Sequence, residues 1–123
     1  MNKEFSAKEI IRQHIESDKI IESVSMTADY KTNNREAKKL VKLFNVVKDN
    51  ISLANEVYAV LLNEDSVTTR SISAAECLRI GIYIHESEKI LEELSQRNDI
   101  GITRLSCEMA LKLWRGEIPG KTL

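Results

Sequence analysis

Leu61-Leu62-Asn63-Glu64-Asp65-Ser66-Val67-Thr68-Thr69-Arg70-Ser71-Ile72-Ser73-Ala74-Ala75-Glu76-Cys77-Leu78 is the stretch whose reading decides the fold. Upstream of it, Leu53, Val57, Val60 and Leu61, with Ala54, recur at helical spacing and predict an inward face. That helix stops at Asn63-Glu64-Asp65-Ser66, where Asp65 or Ser66 can cap the next one. Downstream, Thr68, Thr69 and Ile72 are β-branched, and Ile80, Ile82 and Ile84 alternate as a strand would. Ala74, Ala75 and Leu78 nevertheless suit a helical face better than a pleat, so a helix to Ile80 and a connection through Gly81 are expected.

The same period extends in both directions. Ser6-Ala7-Lys8-Glu9 has the form of a capping box ahead of Ile10, Ile11 and Ile15, and Ile20, Ile21 and Val24 continue the pattern toward Asp29-Tyr30. Asn33-Asn34-Arg35-Glu36 repeats the capping form before a face of Leu40, Val41, Phe44 and Val47 that ends near Asn50. Glu86 to Gln96, with Ile90, Leu91 and Leu94, reads as a short amphipathic helix. Ile100 to Trp114 is the last helix, carrying Leu105, Cys107, Ala110, Leu111 and Trp114 inward, with Gly116, Pro119 and Gly120 to end it. An offset of about 33 residues, in the range of helical-hairpin arrays, aligns Val57 with Ile90, Tyr58 with Leu91, Leu61 with Leu94, Ile72 with Leu105, Ala74 with Cys107 and Leu78 with Leu111. The expected organisation is one all-α domain: an N-terminal helix over 1–17, hairpins over 18–50, 51–80 and 86–116, and a tail over 117–123.

Composition agrees with this class. A chain of 123 residues, 42% hydrophobic and 30% charged, can bury a core and is unlike a disordered polymer. With 4 Gly and 1 Pro it lacks the turn chemistry of an all-β fold. The amino terminus, MNKEFSAKEII, places charges inside any apolar run, and no run reaches bilayer length, so a cytoplasmic protein without membrane attachment is expected. Cys77 and Cys107 lie in amphipathic segments without CxxC spacing and read as buried thiols.

Catalytic chemistry has little to work with. His14 and His85 are the two histidines, neither in a ligand motif, and both are expected at the surface or partly packed. No phosphate-cradling glycine loop and no nucleophile elbow is present, and adjacent Glu92 and Glu93 point about 100° apart on a helix. The sequon Asn50-Ile51-Ser52 is read as chance. A non-enzyme without cofactor or metal is expected.

Charge distribution says more. The net charge is −1, but residues 51–99 hold nine acids against four bases, while residues 1–50 hold ten bases against eight acids. An acidic face on a helical array attracts a basic protein and raises its association rate. Glu64, Asp65 and Asp99, in predicted turns, and Glu88 and Glu92, four apart on one helix, are the candidate partner-binding residues. Lys31, Arg35, Lys38, Lys39 and Lys42 form a basic run opposite Leu40 and Phe44; it is read as a solvated face, with nucleic acid the lesser alternative. Trp114 is expected to close the core.

Leu61 to Leu78 resembles the turn of a HEAT repeat, with two leucines, an acidic turn, Arg70 opening the second helix and Ala74-Ala75 as the paired small residues, although Thr69 stands where valine is usual. Together with Ala28-Asp29-Tyr30-Lys31-Thr32-Asn33-Asn34-Arg35 and Leu113-Trp114-Arg115-Gly116, the stretch from about residue 25 to 117 resembles a family of small bacterial HEAT-like domains of unknown function. The resemblance implies a HEAT-like stack of about three antiparallel helical hairpins. Some domains of this appearance are immunity proteins encoded beside toxins, so it also implies a module that binds and neutralises a cognate, basic toxin domain such as a nuclease. A generic HEAT-like adaptor is the alternative.

Overall fold

The structure, a computed structural model, describes residues 6–117; residues 1–5 and 118–123, the latter including the expected stop signals Pro119 and Gly120, lie outside it. Every regular element among the described residues is helical: α1 (Ala7–Val24), α2 (Tyr30–Val47), α3 (Ile51–Leu61), α4 (Val67–Ile80), α5 (Ile84–Ser95) and α6 (Ile102–Trp114). Packing divides the chain at Asn63/Glu64, within the stretch 51–80 expected as one hairpin. In the first unit α1 packs on α2 and α3, and α2 on α3; in the second α5 packs on α4 and α6, and α4 on α6.

Local chemistry explains where the helices begin and end. Ser6 caps α1 by accepting from the Glu9 amide at 3.3 Å, but Glu9 turns to Arg12 and Gln13 instead of reaching back. Those hydrogen bonds, Arg12's first, hold the Glu9 carboxyl down at about 2. The first helix does not break near Ser17: it continues to Val24, where hydroxyls of Ser25 and Thr27 satisfy carbonyls of its last turn at 3.0 and 2.8 Å. Asp29, not Asn33, caps α2, accepting from the Thr32 amide and hydroxyl at 3.1 and 2.7 Å. The helix thus starts a turn earlier than the Asn33 box predicted, because the Asp29 carboxylate satisfies an amide one turn upstream. The sequon residue Asn50 caps α3 through the Leu53 amide at 3.1 Å, and Ser66 caps α4 through that of Thr69 at 3.1 Å.

Helix α4 ends at Ile80 as expected. Gly81 adopts φ 92°, and the amides of Gly81 and Ile82 both donate to the Cys77 carbonyl, at 2.8 and 3.1 Å. The alternating isoleucines therefore belong to a helix end, a connection and a helix start, with no strand. Tyr83 stands at φ 47°, a left-handed conformation that side chains rarely adopt, and α5 begins immediately after it. Gly101, at φ 60° and ψ −136°, delays α6 to Ile102.

The buried apolar residues of the first unit include Ile10, Leu40, Leu43, Phe44, Val47, Ala54, Val57, Tyr58 and Leu61; those of the second include Ala74, Cys77, Leu78, Leu91, Leu94, Cys107 and Leu111. Both cysteines are free, buried thiols, whose desolvation pushes Cys77 up to about 12 and Cys107 to about 11. Four of the aligned pairs at the 33-residue offset agree in burial: Tyr58 with Leu91, Leu61 with Leu94, Ala74 with Cys107, and Leu78 with Leu111. Val41, Val60 and Leu105 depart from expectation, being exposed. At about 100° per residue, Val60 lies roughly 110° and Leu105 roughly 140° from the centres of their helices' buried faces. Trp114 is half-buried at the end of α6.

The first unit also hides charge. His14 and Asp18, one turn apart on α1, are 2% and 0% exposed, with Nδ1 of His14 at 2.6 Å from Oδ2 of Asp18. This corrects the reading of His14 as a surface or partly packed histidine: the partner at the fourth residue allows the ring to be buried. Glu36, expected to cap Asn33, is instead sealed at 1% exposure and accepts from Arg35 Nε and Lys39 Nζ, both at 3.0 Å. Burial alone would raise its pKa, but the hydrogen bonds from Lys39 and Arg35, with the Ser17 hydroxyl of α1 nearby, prevail, and the carboxyl stands below its usual range.

Candidate functional site

All five acidic candidates lie in the second unit. Glu64 and Asp65 precede the Ser66 cap of α4, Glu64 half-buried and Asp65 exposed. Neither forms an ion pair among the described residues, and both place negative charge at the positive end of a helix dipole. Their local role is therefore to complement the α4 N-terminus, and their charge remains available to solvent.

Glu88 and Glu92 do share a face of α5, as their spacing predicted. The guanidinium of Arg115, just past the end of α6, bonds to both, with Nη2 3.4 Å from Oε2 of Glu88 and in direct contact with Oε1 of Glu92. The pair is thus a clamp between two helices. Asp99 is engaged by its neighbour: Arg97 donates through Nε at 2.9 Å and Nη2 at 2.7 Å, a two-point pairing that holds the Asp99 carboxyl below its usual range. Three of the five charges are accordingly met within the chain. Spacing could not reveal Arg115, which comes from 23 and 27 residues away.

Beside the clamp, α5 and α6 enclose an open groove of about 540 Å³. Four carboxylates, Glu92, Glu93, Glu108 and Glu117, line it with Arg104, Lys112 and Arg115, leaving a slight negative excess. Lys112 approaches Glu108 at 3.4 Å, while Glu93 has no ion-pair partner among the described residues. Helix α6 then presents a feature that sequence reading missed. Ile102, Leu105 and Met109 are 59%, 48% and 47% exposed. Spacings of three and four place them in one stripe on the far side of α6 from buried Cys107 and Leu111. Its signal was present in the sequence, since α6 carries more apolar residues than one inward face can hold.

Among the described residues no group of three or more His, Cys, Asp or Glu side chains is placed to hold a metal ion, and no helix is long and apolar enough to cross a membrane. Comparison of the chain with protein-family models, with curated proteins and with solved structures returns no match.

Proposed function

We propose that this chain is a non-catalytic protein-binding module of the bacterial cytoplasm, an immunity protein that neutralises a basic toxin domain by covering its active site. One observation carries the reading: the exposed stripe of Ile102, Leu105 and Met109 on α6, adjoining a groove rich in carboxylates. Protein interfaces combine an apolar centre with a polar rim, and here α6 would supply the centre and Glu92, Glu93, Glu108 and Glu117 the rim. Charge complementarity then selects a basic partner and speeds its capture. A lysine or arginine from that partner could displace Arg115 from Glu88 and Glu92, replacing an internal ion pair with an intermolecular one. Glu64 and Asp65, which keep their charge, would extend the attraction along the unit. The finer architecture belongs to the same proposal: a HEAT-like stack of hairpins, supported by the burial match at the 33-residue offset.

The test is a pull-down and binding titration against the product of the neighbouring reading frame. A Leu105→Glu/Met109→Glu variant should lose binding while keeping its helical signal and denaturation midpoint, since both positions are outside the core. Absence of binding by the wild-type protein would remove the immunity reading. Binding that survives both substitutions would remove α6 as its centre.

A further inference from the structure

We propose that the outward ridge of α2 binds single-stranded nucleic acid, its cations on successive phosphates and Tyr30 as a stacking platform for a base. At about 100° per residue, Lys31, Arg35, Lys38 and Lys42 fall within an arc of roughly 60°, centred about 140° around the helix from the buried Glu36, Leu40, Leu43 and Val47. At about 1.5 Å per residue the ridge runs roughly 16 Å from Lys31 to Lys42, enough for a few nucleotides of a flexible strand.

The ridge is less neutralised than an ordinary solvated face. Against its four cations and Lys39, α2 carries a single acid, Glu36, which is buried and committed to Arg35 and Lys39. Lys31, Lys38 and Lys42 form no ion pair among the described residues. Asp29, at the start of the helix, is occupied in capping Thr32. The side chains of Lys31, Asn34, Arg35, Lys38, Lys39 and Lys42 border a shallow depression of about 460 Å³.

A second strip points to nucleic acid over other polyanions. Tyr30 is 70% exposed, and Asn34 and Val41 fall on the same side of the cationic ridge by helical angle. An aromatic ring left in water beside unpaired lysines places a π-face next to a phosphate track, the combination that holds single strands without reading their sequence. Asn34 adds a donor and an acceptor for a base edge.

The experiment is a fluorescence titration with a labelled oligothymidylate and a matching oligouridylate, with inorganic polyphosphate and phosphatidylserine-containing vesicles as further arms. Four neutralised phosphates predict a salt slope of about −2.8 for a single strand, hence about a 20-fold loss of affinity from 50 to 150 mM salt. Lys38→Glu/Lys42→Glu should abolish most binding and at least halve that slope, with the urea midpoint unchanged because both residues face away from the core. Tyr30→Ala should weaken oligonucleotide binding about 5-fold or more and leave the salt slope and polyphosphate binding alone. Failure of the wild-type protein to bind oligonucleotide at 50 mM salt, indifference to either variant, or a preference for vesicles or polyphosphate would overturn the proposal.

Discussion

Glu36 offers the sharpest test of how the first unit is held together. Its carboxylate is 1% exposed, whereas the side chains of its partners Arg35 and Lys39 are 61% and 55% exposed. Removing it therefore returns two cations to water, which solvates them well. A fully buried ion pair broken on one side costs about 3 to 5 kcal/mol. With both cations able to recover hydration, Glu36→Ala should cost less, about 2 to 3 kcal/mol from lost charge-assisted hydrogen bonds and an unfilled space. Glu36→Gln keeps the shape and one acceptor and should cost about 1 to 2 kcal/mol. Glu36→Met, of similar length and needing no partner, should lie within about 1 kcal/mol of wild type. Because the folded carboxyl stands below its ordinary value of 4.5, the ionised form is favoured by folding. Its contribution is present above the unfolded value and lost as pH falls through the folded one. Urea denaturation followed by circular dichroism should show the gap between wild type and Glu36→Gln constant from about pH 7 to 5.5 and shrinking toward about pH 3. Equal midpoints for Gln and wild type at neutral pH, or a gap that widens in acid, would refute this account.

In the second unit, Leu78→Ala and Leu111→Ala should each cost about 2 to 5 kcal/mol, while exposed Leu105→Ala should cost less than about 0.5 kcal/mol, read from urea midpoints. The thiols of Cys77 and Cys107, buried and raised to about 12 and about 11, should resist alkylation near neutral pH in the native protein and react at once in denaturant. Arg115→Ala removes an exposed clamp and should leave the urea midpoint nearly unchanged. In the proposed interface it frees Glu88 and Glu92, so stopped-flow association with the basic partner should become faster and more salt-dependent.

The sequence alone determined what depends on a few neighbouring residues. Ser6, Asn50 and Ser66 cap helices because a short side chain bonds an amide three residues on, and Gly81 and Gly116 end them because a left-handed residue is required. The helical period likewise marked Leu61, Ala74, Leu78, Cys107 and Leu111 as core. Spacing placed Glu88 and Glu92 on one face. Tertiary structure decided what depends on the neighbouring helix. Whether Val60 and Leu105 turn inward is set by which of several apolar arcs a neighbour covers, and the period alone allows more than one. His14, Asp18 and Glu36 are polar residues whose burial the helical period does not foretell, because it depends on which side of each helix a neighbouring helix covers. The acidic candidates follow the same division: each carboxylate could be named from the chain, but its free charge depends on cations brought to it by folding. Arg97 is two residues from Asp99 and could be foreseen, whereas Arg115 reaches Glu88 and Glu92 solely because α6 packs back along α5.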